Sequence, residues 1–169
     1  EQSNAARILT QGIPSFQPTV NDSAINNHAA VIFDNAADNF TSVANVNDSN
    51  YYISTVYSFS DNSRFCRLLT SAPGGNNWVL APYLTHNLAN GFGFIGPGVS
   101  VVKDRFVVSS AYADKVNIKH ILNGIAVDSS SFGKLPGVLN ISATNADRFS
   151  GALAEVIAVN GGISLALAD

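Results

Sequence analysis

Residues 119 to 165 read KHILNGIAVDSSSFGKLPGVLNISATNADRFSGALAEVIAVNGGISL, and this stretch decides the fold. Two extended segments joined by a turn-rich loop precede Arg148-Phe149-Ser150-Gly151, and an apolar run from Ala152 to Val159 follows, interrupted by one carboxylate, Glu155. Asn123-Gly124 and Ser150-Gly151 are turn signals. In Val116 to Leu122, His120 alternates in phase with Val116, Ile118 and Leu122, which predicts a semi-buried histidine satisfied by hydrogen bonds.

Strict alternation places Glu155 on the face of Leu153, Ile157 and Val159, partly in the core, the low-dielectric setting in which a carboxyl becomes a general acid. Glycoside hydrolysis ordinarily needs two carboxylates flanking the bond. No second acid stands at i+2 or i+4 on this strand, and a turn separates Asp147 from it. Glu155 is therefore expected to be structural, paired or hydrogen-bonded, and no catalytic residue is assigned.

Working outward, the same strand-and-turn rhythm continues towards the N-terminus. Tyr51 to Phe59 (YYISTVYSF) is β-branched and aromatic, with Tyr51, Ile53, Thr55, Tyr57 and Phe59 on the face expected to be core and Tyr52, Ser54, Val56 and Ser58 on the other. Further strands are expected at Ala29 to Phe33, Phe40 to Val43, Phe65 to Leu69, Trp78 to Ala81, Gly91 to Ile95, Val99 to Val102, Arg105 to Tyr112, Val116 to Leu122, Val138 to Ala143 and Leu153 to Val159. Spacing of about 8 to 12 residues with turn signals between is the mark of an all-β sandwich or barrel. Nothing keeps an apolar i, i+3, i+4, i+7 pattern long enough for an amphipathic helix. Residues 1–24, with Pro14 and Pro18 and no sustained period, are expected to form an irregular arm with at most one short strand, and residues 25–169 one domain.

Composition narrows the function classes. The chain has 169 residues, 46% hydrophobic but only 12% charged, with a net charge of -3. Usual domains carry about 25% charged residues, so Asn, Ser, Thr and Gly supply the polarity and the surface is rich in neutral hydrogen-bonding groups. No basic cluster offers an electrostatic footprint for nucleic acid. The single cysteine, Cys66, rules out an intrachain disulfide. No apolar run approaches the ~18 residues of a membrane-spanning helix, and no membrane partner is expected.

Several motifs have bland readings that prevail. Gly91-Phe92-Gly93-Phe94-Ile95-Gly96 matches a dinucleotide fingerprint literally, but Pro97-Gly98 and another β-like run follow where a helix is needed. His28, His86 and His120 lack ligand spacing, so no zinc site is expected. Loops at Asn45 to Asn50, Asp61-Asn62-Ser63 and Asn145-Ala146-Asp147 carry oxygens of the kind calcium takes, yet none has the EF-hand pattern. Ordinary turns are the expectation there, and no metal or cofactor is assigned. Sequons fall at Asn21, Asn39, Asn47 and Asn140, as an Asn- and Ser-rich chain produces by chance.

His120-Ile121-Leu122-Asn123-Gly124 with Ile125-Ala126-Val127, then Val138-Leu139-Asn140-Ile141, Arg148-Phe149-Ser150-Gly151, Leu153-Ala154-Glu155-Val156-Ile157 and Ile163-Ser164 together resemble the C-terminal half of concanavalin A-like, laminin G-like jelly-roll domains. Asn26 to Asp34 is similar to the strand that opens such domains. The resemblance implies a two-sheet antiparallel jelly-roll sandwich. In it Asn123, Gly124, Phe149, Gly151 and Glu155 are the structural motif, and a concave sheet with its rim loops is often used to bind glycans. Such modules are common in bacteriophage and other virion surface proteins. Two family features are missing, the paired-acid strand of the related glucanases and the acidic metal-binding segment of legume-type lectins.

The expectation is thus a non-enzymatic module at a virion surface or outside the cell, binding a glycan or host-surface polysaccharide. Trp78, Tyr83 and Tyr112 are the candidate sugar-stacking aromatics. The competing expectation is a capsid-decoration or tail-fibre assembly module, homo-oligomeric and packed against other virion or surface-protein subunits, whose aromatics belong to the core. A glycoside hydrolase is the least favoured reading.

Overall fold

The computed structural model describes residues 11–34, 37–61, 66–71, 78–83, 85–90, 94–100, 102–131, 133–142 and 147–161, with strand residues 42–43, 82–83, 85–90 and 94–100 described by backbone alone. A 3-10 turn at Pro14–Phe16 precedes strands β1 (Thr19–Ile25), β2 (His28–Asp34), β3 (Phe40–Val46), β4 (Asn50–Phe59), β5 (Leu69–Ser71), β6 (Trp78–Tyr83) and β7 (Thr85–Asn90). Then come β8 (Phe94–Ser100), β9 (Val107–Asp114), β10 (Asn117–Leu122), β11 (Ile125–Ser131), β12 (Gly137–Ile141) and β13 (Ser150–Asn160). They build one sheet of seven strands in the order β1-β2-β13-β4-β9-β10-β11 and one of six in the order β3-β12-β5-β6-β7-β8. The fold is an all-β, jelly-roll-like sandwich of two antiparallel sheets, the expected class.

The period-2 pattern of β4 explains its place at the centre of the larger sheet. Tyr51, Ile53, Thr55, Tyr57 and Phe59 are all buried on the inner face. There they join Phe33, Ala111, Ile118 and Leu153 of the same sheet against Val46, Leu69, Trp78, Leu80, Leu139 and Ile141 of the other. Phe149 closes one end of this core, edge-on to Phe33 (5.6 Å between centroids) and to Tyr57 (5.9 Å). Burying such large rings contributes on the order of 2–3 kcal/mol each, and edge-on pairs add a little more.

A polar thread runs through the same interior. His120 is fully buried, as its phase with Ile118 and Leu122 requires, and its Nε2 lies 3.0 Å from Ser109 Oγ. Thr55 Oγ1 donates to the Ser109 carbonyl at 3.0 Å. A buried hydroxyl or imidazole is tolerated in a core only with such partners.

Three elements differ from the expectation. Strand β1 pairs with β2 from Thr19 opposite Ile32 to Ile25 opposite His28. The sheet therefore takes in part of the segment expected as an irregular arm, and a division at residue 24 falls inside a strand. As an edge strand, β1 is hydrogen-bonded on one side and exposed over its first five residues, so it carries no apolar period to read. Strand β7, THNLAN, is rich in Asn and is a strand because β6 and β8 pair with it on both sides. The glycine-rich stretch enters β8, where Gly96-Pro97-Gly98 is part of a strand and not a helix start. Pro97 is accommodated because β8 is the sheet edge.

The third difference concerns Glu155. Leu153 lies opposite Tyr57 on β4, but Glu155 lies opposite Val56, so Ala154 is one extra residue, a β-bulge. Before the bulge Leu153 faces the core; after it the phase is reversed. Glu155, Ile157 and Val159 then share the outward face with Val56, Ser54 and Tyr52, while Val156 packs against the core. This corrects the expectation of a partly buried Glu155 on a core face with Ile157 and Val159: Glu155 is exposed, and Ile157 and Val159 are 42% and 41% exposed.

Candidate functional site

The bulge matters because it completes an outward face on the seven-stranded sheet. Register across the strands arranges that face in rows. Val159, Tyr52, Tyr112, Lys119 and Ser129 lie side by side on β13, β4, β9, β10 and β11; Ile157, Ser54, Ser110 and Ile121 form the next row; Glu155, Val56 and Val108 form the third. Rows are two residues apart along each strand, about 7 Å, and columns about 4.8 Å apart.

The middle of the face is built from hydroxyls between rings. Ser110 Oγ donates to Ser54 Oγ at 2.8 Å, and the Tyr52 hydroxyl lies 3.1 Å from Ser110 Oγ. Tyr52 is half-buried, whereas Tyr112, beside it across the strands, is buried at 9% exposure, and Ser54 and Ser110 are buried beneath the rings. Val56, Val108, Ile157 and Val159 surround this centre with apolar surface. Charge on the face is sparse, with Lys119 in the first row and Glu155 in the third. Beyond Lys119, at the β9–β10 turn, the Asp114 carboxylate accepts the backbone N–H groups of Asn117 (2.7 Å) and Val116 (3.1 Å). Those bonds, with the Lys119 charge nearby, hold its carboxyl below the usual 3.8.

Beside the third row an open cleft of about 470 Å³ lies between the β1–β2 turn and the bulge, lined by Asn26 and His28 on one side and by Val56, Ala154 and Glu155 on the other. Asn26 and Asn27 both adopt positive φ, 46° and 61°, as a tight two-residue hairpin of this kind demands.

The sequence-predicted residues fall in different places. Trp78 is fully buried in the core, its indole Nε1–H donating to the Tyr51 hydroxyl at 3.0 Å. This corrects its candidacy as a sugar-stacking ring, since a tryptophan with no exposed surface presents none. Tyr83 ends β6, and its side chain lies outside the described residues. Tyr112 lies on the outward face. Asn123 and Gly124 make the β10–β11 turn with φ of 50° and 83°, and Asn123 Oδ1 accepts the Val108 N–H at 3.0 Å. Phe149 is core, and Gly151 lies against the β4 backbone.

Sequence reading set Tyr52 and Ser54 on one non-core face but did not join Ser110 and Lys119 to it. The alternation in β4 sets Tyr52 and Ser54 apart from the core, but their juxtaposition with Ser110 and Tyr112 follows only from strand pairing across some 58 residues.

Of the oxygen-rich loops, Asn45 to Asn50 spends its groups on turn bonds. Asp48 Oδ1 accepts from the Asn50 N–H at 2.8 Å, and Asn160 Oδ1 accepts from the Asp48 N–H at 2.8 Å. Residues 62–63 and 145–146 of the other two lie outside the described residues. Among the described residues no three His, Cys, Asp or Glu side chains converge as metal ligands. No helix among them is long and apolar enough to cross a membrane. The sequon residues Asn39 and Asn140 are buried in the folded chain.

Fold and face together define a β-sandwich with a hydroxyl- and tyrosine-bearing outer sheet. No family model matches the chain, and no curated protein sequence is similar to it. Among solved structures it is similar to domain 4 of AbnA, a GH43 extracellular arabinanase from Geobacillus stearothermophilus, in complex with arabinotriose. The two share 13% identity and a TM-score of 0.66 over 83% of this chain and 73% of that one. At that identity the likeness is one of fold.

Proposed function

We propose that the protein is a non-enzymatic glycan-binding module, with the sugar lying on the outward face of the seven-stranded sheet. The observation that carries this reading is the half-buried Tyr52 ring on the outward face, braced by Tyr112 beside it and by the buried Ser54–Ser110 hydroxyl pair in the next row. Aromatic edges and faces take the C–H surface of a sugar ring, and the Tyr52 hydroxyl both donates and accepts with its oxygens. The neighbouring fold in complex with arabinotriose supports an oligosaccharide as ligand. Its extracellular origin suits placement outside the cell or on a virion or other particle surface. Recognition without chemistry is favoured because the three rows hold a single carboxylate, Glu155, where hydrolysis of a glycosidic bond ordinarily takes two flanking the bond.

The test is a glycan array followed by calorimetry on the best neutral oligosaccharide. Tyr52→Ala is expected to weaken binding at least tenfold with the fold intact by circular dichroism. A wild-type protein that binds no glycan at any length tested sinks the reading.

A second reading, an assembly module of a capsid or fibre, draws on the exposed Ile157, Val159 and Val108 of the same face. It predicts a stable homo-oligomer by light scattering that Ile157→Asp disperses, and no glycan signal.

A further inference from the structure

The cleft at the β1–β2 turn is continuous with the proposed sugar face. Its floor residue Val56 follows Tyr52 and Ser54 at alternate positions on β4, about 13 Å from Tyr52 along the strand. Two local irregularities shape it. The Asn26-Asn27 turn, held at positive φ, fixes one wall, and the bulge at Ala154 turns Glu155 out of the core phase and into the other. Bulges commonly re-aim a side chain beside a functional site.

We infer that this cleft is the end subsite of the sugar-binding face and takes a neutral ring through two adjacent hydroxyls held by the Glu155 carboxylate. The inference rests on the glycan-binding reading. A carboxylate only accepts, and its two oxygens can take two O–H donors side by side in charge-assisted hydrogen bonds, which are about twice as strong as neutral ones. A vicinal diol supplies that pair of donors. The Asn26 amide and the His28 ring offer donors to the remaining ring oxygens, and Val56 and Ala154 give an apolar floor. A uronate brings a second negative charge to the same wall, where like charges repel and nothing in the cleft offers a fixed cation. The subsite thereby selects neutral sugars over acidic ones.

The experiment is calorimetry of the full chain with neutral and uronate-bearing trisaccharides, arabinotriose and trigalacturonate among them. Wild-type protein should bind the best neutral trisaccharide at least tenfold more tightly than the uronate. Glu155→Gln, at an exposed position, should keep the wild-type melting temperature, weaken the neutral ligand about tenfold and shrink the discrimination to less than threefold. If Glu155→Gln binds within twofold of wild type while Tyr52→Ala loses binding, the cleft is no subsite, though the face is still the site. A uronate preferred by wild type also overturns the inference. If no trisaccharide binds wild type, the glycan-binding reading fails and the subsite with it.

Discussion

The indole Nε1–H of Trp78 donates to the hydroxyl of Tyr51 at 3.0 Å, joining β6 of one sheet to β4 of the other through the centre of the core. Both side chains are fully buried and meet edge-on, 6.4 Å between centroids. Removing one partner of a buried hydrogen bond costs the desolvation of the group left behind, about 1–3 kcal/mol. Tyr51→Phe is therefore expected to lower the unfolding free energy read from urea titration by an amount in that range, and Trp78→Ala, which also opens a cavity, by about 3–5 kcal/mol. Neither should change glycan affinity per folded molecule, which separates Trp78 from Tyr52.

Among the described glycines, Gly151 is the least able to change. Its φ is 152°, and a Cβ there would overlap the Ser58 carbonyl oxygen, lie 2.6 Å from Phe59 Cα and 2.9 Å from the Phe149 ring. Two of these obstacles are backbone and cannot swing away. Gly151→Ala should cost more than about 3 kcal/mol or abolish the soluble folded protein, because overpacking and an unsuitable φ act together. Gly124→Ala is the contrast: it has φ of 83° but nothing near its Cβ, so it should cost about 1 kcal/mol through backbone strain alone. Equal losses for the two, read from thermal melts, would contradict this account.

Two aspartates should give stability opposite pH dependences. Burial pushes the Asp38 carboxyl above 3.8, and the neighbouring Asp34 charge adds to this, although Asp38 Oδ2 accepts the Asp34 N–H at 3.0 Å. A raised folded pKa means the unfolded chain ionises first, so stability falls as pH climbs from about 3.8 through the raised value. Asp38→Asn keeps an acceptor and sheds the charge; it should be more stable than wild type at pH 7, with the margin gone by pH 3. Asp114 is the reverse. Backbone donors depress its folded pKa, so its contribution is present above 3.8 and is lost as pH falls through the depressed value. Asp114→Ala should be less stable than wild type at pH 7 and match it at the acid end. Melting curves from pH 2.5 to 7 check both signs.

These relationships also separate what local side-chain pattern determines from what strand pairing determines. Alternation in Tyr51 to Phe59 separates core from outer face because a central strand feels the core on one side only, and Asn123-Gly124 declares its turn because both residues tolerate positive φ. Ring size alone did not place Trp78: a tryptophan is as good a core residue as a ligand platform, and its N–H partner, Tyr51, lies 27 residues away. Edge strand β1 and the Asn-rich β7 carry little side-chain pattern, since backbone pairing holds them. The outer face was half legible, through Tyr112 and the even positions of β4, but its rows depend on register. A single inserted residue in β13 reverses the phase of all that follow, and nothing in LAEVIAV marks which residue is extra.

That phase reversal makes a prediction of its own. If β13 alternated strictly from Leu153, Ile157 would be a core residue and Val156 would face outward. With the bulge at Ala154, Val156 packs against the core and Ile157 is exposed on the outward face. Val156→Ala should then cost about 1–2 kcal/mol, from roughly 0.8 kcal/mol per buried methylene lost. Ile157→Ser, although the more polar change, should stay within about 0.5 kcal/mol, as exposed substitutions do. Urea titration of the two variants distinguishes the arrangements, because strict alternation reverses the order of the two losses and returns Glu155 to the core. Ile157→Ser should in addition alter glycan affinity while Val156→Ala does not, since only residue 157 shares a row with Ser54 and Ser110.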